Sequence, residues 1–89
     1  MEGEAFITNG ETTMSEKVKA PDEPGEARVD YEAGVTLNMG DFESARVSVR
    51  LSLPCEAVPS RLDRMFEFAR HWVSDRVERE IDLLTREDD

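Results

Sequence analysis

The stretch from Ala45 to Leu84 constrains the fold of this chain more than any other. It begins with nine residues in which apolar and polar side chains alternate, continues through a Pro54-Cys55 break, and ends in a long amphipathic segment. Strict alternation is the period of a half-buried β-strand, whereas apolar residues spaced by three and four are typical of a helix. We therefore expect a strand followed by a helix, each with one apolar face.

A shorter alternation, from Val35 to Met39, precedes this strand, and Gly40-Asp41 between the two supplies residues typical of a turn. The two strands are predicted to form an antiparallel β-hairpin with one apolar and one polar face. The polar face is predicted to carry Thr36, Asn38, Arg46, Ser48, Arg50 and Ser52.

Pro54 is expected to end the second strand, since it cannot donate to a β-ladder. Ser60 with Asp63 three residues later resembles a capping box and predicts a helix start. One stripe of this helix is predicted to be apolar: Leu62, Met65, Phe66, Ala69, Trp72, Val73, Val77 and Leu84. The polar residues opposite are Arg64, Glu67, His71, Glu78 and Asp82. Arg76 and Glu80, at the stripe's edge, are read either as an exposed ion pair or as an interface pair that selects a partner.

Residues 1–30 are predicted to be a disordered acidic tail, because acids, threonines and prolines there surround only scattered apolar residues. Removing this tail is expected to leave the fold intact. Phe6-Ile7 is considered as a short docking motif within it, and translation could start at Met1 or at Met14. The folded ββα domain is predicted over residues 31–86, and residues 87–89 are expected to fray.

Composition limits the function. The formal net charge of −10 argues against binding duplex DNA through bulk electrostatics. A single cysteine, Cys55, excludes an internal disulfide and favours the cytosol. No apolar run is long enough to predict a membrane span, and the N-terminal residues do not resemble a signal peptide.

No catalytic or metal-binding pattern stands out. His71 is the only histidine, and a nucleophile–base pair with Cys55 has no third residue to orient it. Ligand spacings for metals and glycine-rich phosphate loops are also missing from the sequence. The sequence therefore predicts a non-enzymatic protein without metal, cofactor or small-molecule ligand.

The lengths of the predicted elements favour a homodimer. A helix of 25 residues spans about 37 Å, whereas strands of eight or nine residues span less than about 30 Å. One hairpin would leave part of the helix uncovered, so two copies are expected to form a four-stranded sheet beneath two helices, with Trp72 well buried. The residues assigned to this dimer or partner surface are Leu62, Phe66, Ala69, Trp72, Val73, Arg76, Val77 and Glu80.

The run from Val35 to Val47, together with Leu53-Pro54-Cys55 and the following helix, resembles a pattern in small uncharacterised proteins of bacteriophages and mobile elements. That pattern is a strand, Asn-x-Gly-(Asn/Asp)-aromatic-Glu-Ser, a second strand ending in Pro-Cys, and a helix. The resemblance covers about residues 33–84 and implies a phage or plasmid context, without an activity to carry over.

Two functions follow as expectations. The first is a protein-interaction module in the host cytosol that binds, and in doing so modulates or inhibits, a host or element protein. The second is a single-stranded nucleic-acid accessory protein that uses the face with Arg46 and Arg50, although that face lacks the exposed aromatic residues typical of such sites.

Overall fold

The computed structural model describes residues 2–21, 25–40 and 43–85, which form an α+β fold. Four antiparallel strands build one sheet and a single helix follows them. The elements are β1 (Glu2–Asn9), β2 (Thr12–Lys19), β3 (Ala27–Gly40), β4 (Glu43–Cys55) and α1 (Pro59–Thr85).

The strand order across the sheet is β2-β1-β4-β3. Two hairpins, β1–β2 and β3–β4, therefore lie side by side, with β1 against β4 in the centre and β2 and β3 at the edges. The predicted β3–β4 hairpin is confirmed, although its turn at Asp41 and Phe42 lies outside the described residues. The four-stranded sheet predicted for two copies is found within one chain.

The prediction of a disordered tail over residues 1–30 is wrong. Residues 2–19 form β1 and β2, and β3 already begins at Ala27, so the predicted domain boundary at residue 31 falls inside a strand. Ala5 and Ile7 are fully buried, and Gly3 lies so close to β4 that a Cβ there would collide with the side chain of Leu53 and the carbonyl of Ser52. β1 is ordered because it pairs with a strand on each side, although its own few apolar residues did not predict a strand.

A two-residue turn joins β1 to β2. Gly10 has a φ of 65°, a backbone conformation that is unfavourable for residues with a Cβ atom but that glycine adopts readily. Its N–H donates to the carbonyl of Arg46 over 2.9 Å, which extends the contact between β1 and β4 into the turn.

β4 continues through Pro54 to Cys55, beyond the predicted end of the strand. In an antiparallel ladder the N–H and C=O of one residue point to the same side of the strand. Because the Arg46 carbonyl accepts from Gly10, the backbone groups of Arg46 and of the other even-numbered β4 residues point toward β1. The paired β1–β4 register ends at Glu4 and Ser52. Pro54 therefore lies past that ladder, where no N–H is required.

The helix begins at Pro59, one residue before the predicted cap at Ser60. Proline is favoured in the first turn because its missing N–H would have no helical partner there. The predicted fraying near the C-terminus concerns residues 87–89, which lie outside the described part of the chain.

The core lies between α1 and the sheet, chiefly over β3 and β4. It includes Ala5, Ile7, Val49, Leu51, Leu53, Met65, Ala69 and Val73. The predicted shortage of sheet does not arise, because β3 and β4 are 14 and 13 residues long, about 45 Å at 3.3 Å per residue, against about 40 Å for the helix. One chain therefore covers its own helix without a second copy.

Candidate functional site

The sheet has one face that α1 does not cover, which we call the open face. Side chains reach it from alternate residues of each strand, in register across the sheet. Phe6 of β1 stands between Ser15 of β2 and Arg50 of β4, and Glu32 of β3 completes this row. The next rows along the sheet contain Thr8 with Ser48, and Arg46 with Thr36.

Phe6 is the aromatic residue among the described side chains of the open face. Its side chain is 42% exposed, while its neighbour Ile7 is fully buried on the helix side. A phenylalanine on a central strand and surrounded by polar side chains contributes little to the core. It provides an apolar platform on an otherwise hydrophilic surface, and the sequence-based assignment of this face missed it.

The charge of the open face is opposite in sign to that of the whole chain. Its described side chains include five basic residues, Lys17, Lys19, Arg28, Arg46 and Arg50, and three acidic residues, Glu4, Asp30 and Glu32. The formal charge of these eight is therefore +2, in a protein whose total is −10. In the part of the face from Phe6 toward Asn38, the described charged side chains are two basic ones, Arg46 and Arg50, and one acidic one, Glu32.

Two of these arginines are held by hydroxyl groups. Arg28 Nε donates to Ser52 Oγ over 3.0 Å, and Arg46 Nη1 donates to Thr36 Oγ1 over 3.4 Å. These cross-strand contacts hold the guanidinium groups along the sheet surface, where both arginine residues stay exposed.

The structure brings together the polar-face residues predicted from the sequence. Thr36, Asn38, Arg46 and Arg50 are exposed on the open face and Ser48 is half-buried there. Ser52 shares this face but is buried beneath Arg28.

The predicted apolar stripe of the helix mostly packs against the chain's own sheet. Ala69 and Val73 are fully buried, and Leu62, Trp72 and Val77 are half-buried, so the prediction that Trp72 is well buried is met only in part. Phe66 is 46% exposed and contacts Tyr31 edge-to-face at 5.6 Å between ring centroids. Most of the stripe assigned to a partner thus belongs to the core.

Arg76 and Glu80 form neither the exposed pair nor the interface pair considered from the sequence. Glu80 is only 3% exposed, and its carboxylate accepts from Arg76 Nε at 3.1 Å and from Asn9 Nδ2 at 2.9 Å. Arg76 Nη1 also donates to Glu16 over 2.6 Å, and its guanidinium lies 5.7 Å from the Trp72 ring centroid. This network joins α1 to β1 and β2.

The surroundings of Arg76 favour its charged form. Burial opposes the charge, but the hydrogen bonds to Glu16 and Glu80 outweigh this and raise the pKa of Arg76 above its ordinary value. The group therefore acts as a permanent cation that ties two elements together, which identifies the network as structural.

Cys55 and His71, the two residues considered for catalysis, differ in burial and lie on different elements. Cys55 is buried at the end of β4, and its Sγ donates to the Glu56 carbonyl over 3.3 Å. His71 is exposed on the helix, 3.8 Å from a Glu67 carboxylate oxygen. Across residues 2–21, 25–40 and 43–85, no three His, Cys, Asp or Glu side chains cluster in a way that could hold a metal ion.

Within the described part of the chain, no helix combines the length and apolar composition needed to cross a lipid bilayer. No family model, curated protein or solved structure matches the chain.

Proposed function

We propose that this protein is a non-enzymatic binding protein whose open face holds single-stranded nucleic acid. The observation that carries the proposal is the position of Phe6, exposed at the centre of the sheet with Arg50 beside it. Nonspecific single-strand sites combine aromatic rings that stack on bases with cations that follow the phosphates. The sequence-based expectation had ranked this function second for want of such a ring.

The arrangement suits a strand that crosses the sheet. Phe6 offers a stacking surface on β1, while Arg46 and Arg50 on one side and Lys17 on the other offer cations for phosphates. Hydroxyl groups of Thr8 and Ser48 lie in the adjacent row and can donate to phosphate or base oxygens.

The negative charge of the whole chain weakens such binding but does not prevent it. The acidic side chains of α1 lie on the opposite side of the sheet, roughly 10 Å or more away. The Debye length at physiological salt is about 8 Å, so much of their repulsion is screened at the open face. The local charge of the face therefore dominates.

The proposal is tested by fluorescence anisotropy with a labelled oligothymidine over a range of salt concentrations. We expect Arg46→Glu with Arg50→Glu to lower affinity at least tenfold and to reduce the slope of log K against log salt by about 1.4, because two phosphate contacts are lost. Phe6→Ala is expected to cost about 1–3 kcal/mol of binding free energy.

Arg70→Glu with Arg79→Glu is the matched control, since it makes the same charge change on the solvent side of α1. We expect it to bind nearly as the unchanged protein does. Equal losses in the two double variants, or unchanged affinity after the sheet substitutions, would contradict the proposal. Circular dichroism would establish that all variants remain folded.

A protein ligand is the second candidate. Glu4, Asp30 and Glu32 on the open face, together with the net charge of −10, favour a partner that also carries basic groups. Absence of oligothymidine binding at low salt would favour this candidate. For either ligand we propose the phage or mobile-element context implied by the resemblance, and the host cytosol favoured by the single cysteine.

A further inference from the structure

We propose that two copies of this chain join through the outer edges of β3, in antiparallel register about a two-fold axis at Ala33, to form a continuous eight-stranded sheet. Such a dimer would form whether or not the open face binds nucleic acid.

β3 offers an unpaired edge along most of its length. It is the last strand of the sheet, with β4 on one side and no described strand on the other. Because even-numbered β4 residues point toward β1, the odd-numbered β3 residues bond to β4 and the even-numbered ones face outward. Backbone groups of Glu32, Gly34 and Thr36 are therefore directed at the open edge.

The second half of this edge, from Ala33 onward, lacks the features that usually prevent strand pairing. From Ala33 to Asn38 it contains no charged residue and no proline. The other edge strand, β2, contains Glu16, Lys17 and Lys19 within its eight residues, and lysine is a common edge protector. Of the two edges, β3 is thus the one suited to pairing.

Apolar side chains accompany this edge on the helix side of the sheet. Tyr31, Val35 and Leu37 are half-buried, and Phe66 above Tyr31 is 46% exposed. A second β3 strand would bring its own apolar row beside them. The same contact would therefore pair backbone groups and bury apolar surface.

The charges and the shape of β3 select one register. Its pairing with β4 is regular from Ala27 to Asn38 and shifts between Asn38 and Gly40. The midpoint of that regular segment falls between Glu32 and Ala33, and a two-fold axis at Ala33 places Glu32 opposite Gly34, Asp30 opposite Thr36, and Tyr31 opposite Val35 of the second copy. Axes at Asp30, Tyr31 or Glu32 would set acids directly opposite acids, which is unfavourable.

Cysteine cross-linking tests both the dimer and its register. In the proposed dimer the two Ala33 residues form a non-hydrogen-bonded pair, with Cα atoms about 4.5 Å apart, which a disulfide can span. We expect Ala33→Cys to give a covalent dimer under mild oxidation. Val35→Cys is the matched control, because each Val35 faces Tyr31 of the second copy and lies far from its own counterpart.

Multi-angle light scattering of the unchanged chain supplies a measurement that needs no variant. We expect its mass to rise from one copy to two with concentration. A single-copy mass at all concentrations would overturn the proposal, and so would a dimer in which Ala33→Cys fails to cross-link or Val35→Cys cross-links equally well. Cys55 does not interfere, because it is buried in each chain.

Discussion

Ion pairs of similar chemistry differ in their contribution to stability within this chain, and the burial of each pair decides how much it contributes. Two arginine–carboxylate pairs of α1 illustrate this, since both are spaced by four residues. Arg79 and Asp75 meet at 3.2 Å with about two thirds of each side chain exposed, whereas Arg76 and Glu80 meet at 3.1 Å with 15% and 4% exposed. The sequence spacing is identical, but the energetic consequence differs.

Arg76→Ala is expected to destabilise the fold by about 3 kcal/mol, because it leaves the Glu80 carboxylate buried with Asn9 as its remaining side-chain donor. Arg79→Ala, the matched control, is expected to cost less than about 1 kcal/mol. Urea unfolding followed by circular dichroism measures both. Similar losses in the two variants would show that the network contributes no more than a surface pair.

At the scale of elements, the sequence predicted β4, α1 and the part of β3 from Val35 to Met39, and it missed the rest of β3 together with β1 and β2. The first three show a clear period because their inward positions are nearly all apolar. β1 instead places Gly3, Ala5, Ile7 and Asn9 inward and Phe6 outward, and β2 places Thr12 and Glu16 inward. These residues hide the alternation, and their order comes from pairing with β4 and from the ion pair of Glu16.

One signal could have identified the missed hairpin and with it the candidate site. Gly10-Glu11 lies between two segments of eight residues, and glycine at the first position of a two-residue loop is typical of β-hairpin turns. Recognising it would have placed Phe6 on a strand with its side chain opposite that of Ile7. The polar residues of β3 and β4 were predictable because their alternation is regular, whereas Phe6 lies on β1, where the alternation is hidden.

A chain that starts at Met14 is expected to lose cooperative folding, contrary to the expectation for a dispensable tail. It lacks β1, whose Ala5 and Ile7 are fully buried and whose backbone pairs with β4. Removing β1 exposes the edge of β4 and the core residues Val49 and Leu51 to water. Thermal unfolding by circular dichroism checks this, and a sharp transition near that of the full chain would contradict it.

At the scale of the whole molecule, the elongated shape links stability to association. The principal extents are 49, 21 and 19 Å, and the radius of gyration is 15.1 Å, against about 12 Å for a compact domain of this length. One helix packed on one elongated sheet leaves much apolar surface half-exposed, as at Phe66 and Leu83. Pairing at the β3 edge would cover the first of these.

The melting temperature of the chain is therefore expected to rise with protein concentration, because only folded chains associate and association stabilises the folded state. Thr36→Pro removes an N–H directed at the outer edge of β3 while leaving the ladder to β4 intact, so it is expected to abolish this dependence and give a single-copy mass. Ser15→Pro makes the same change at the outer edge of β2 and is expected to keep the dependence, since that edge is not used. Differential scanning calorimetry at several concentrations distinguishes the two variants, and loss of the dependence in both or in neither would contradict pairing through β3.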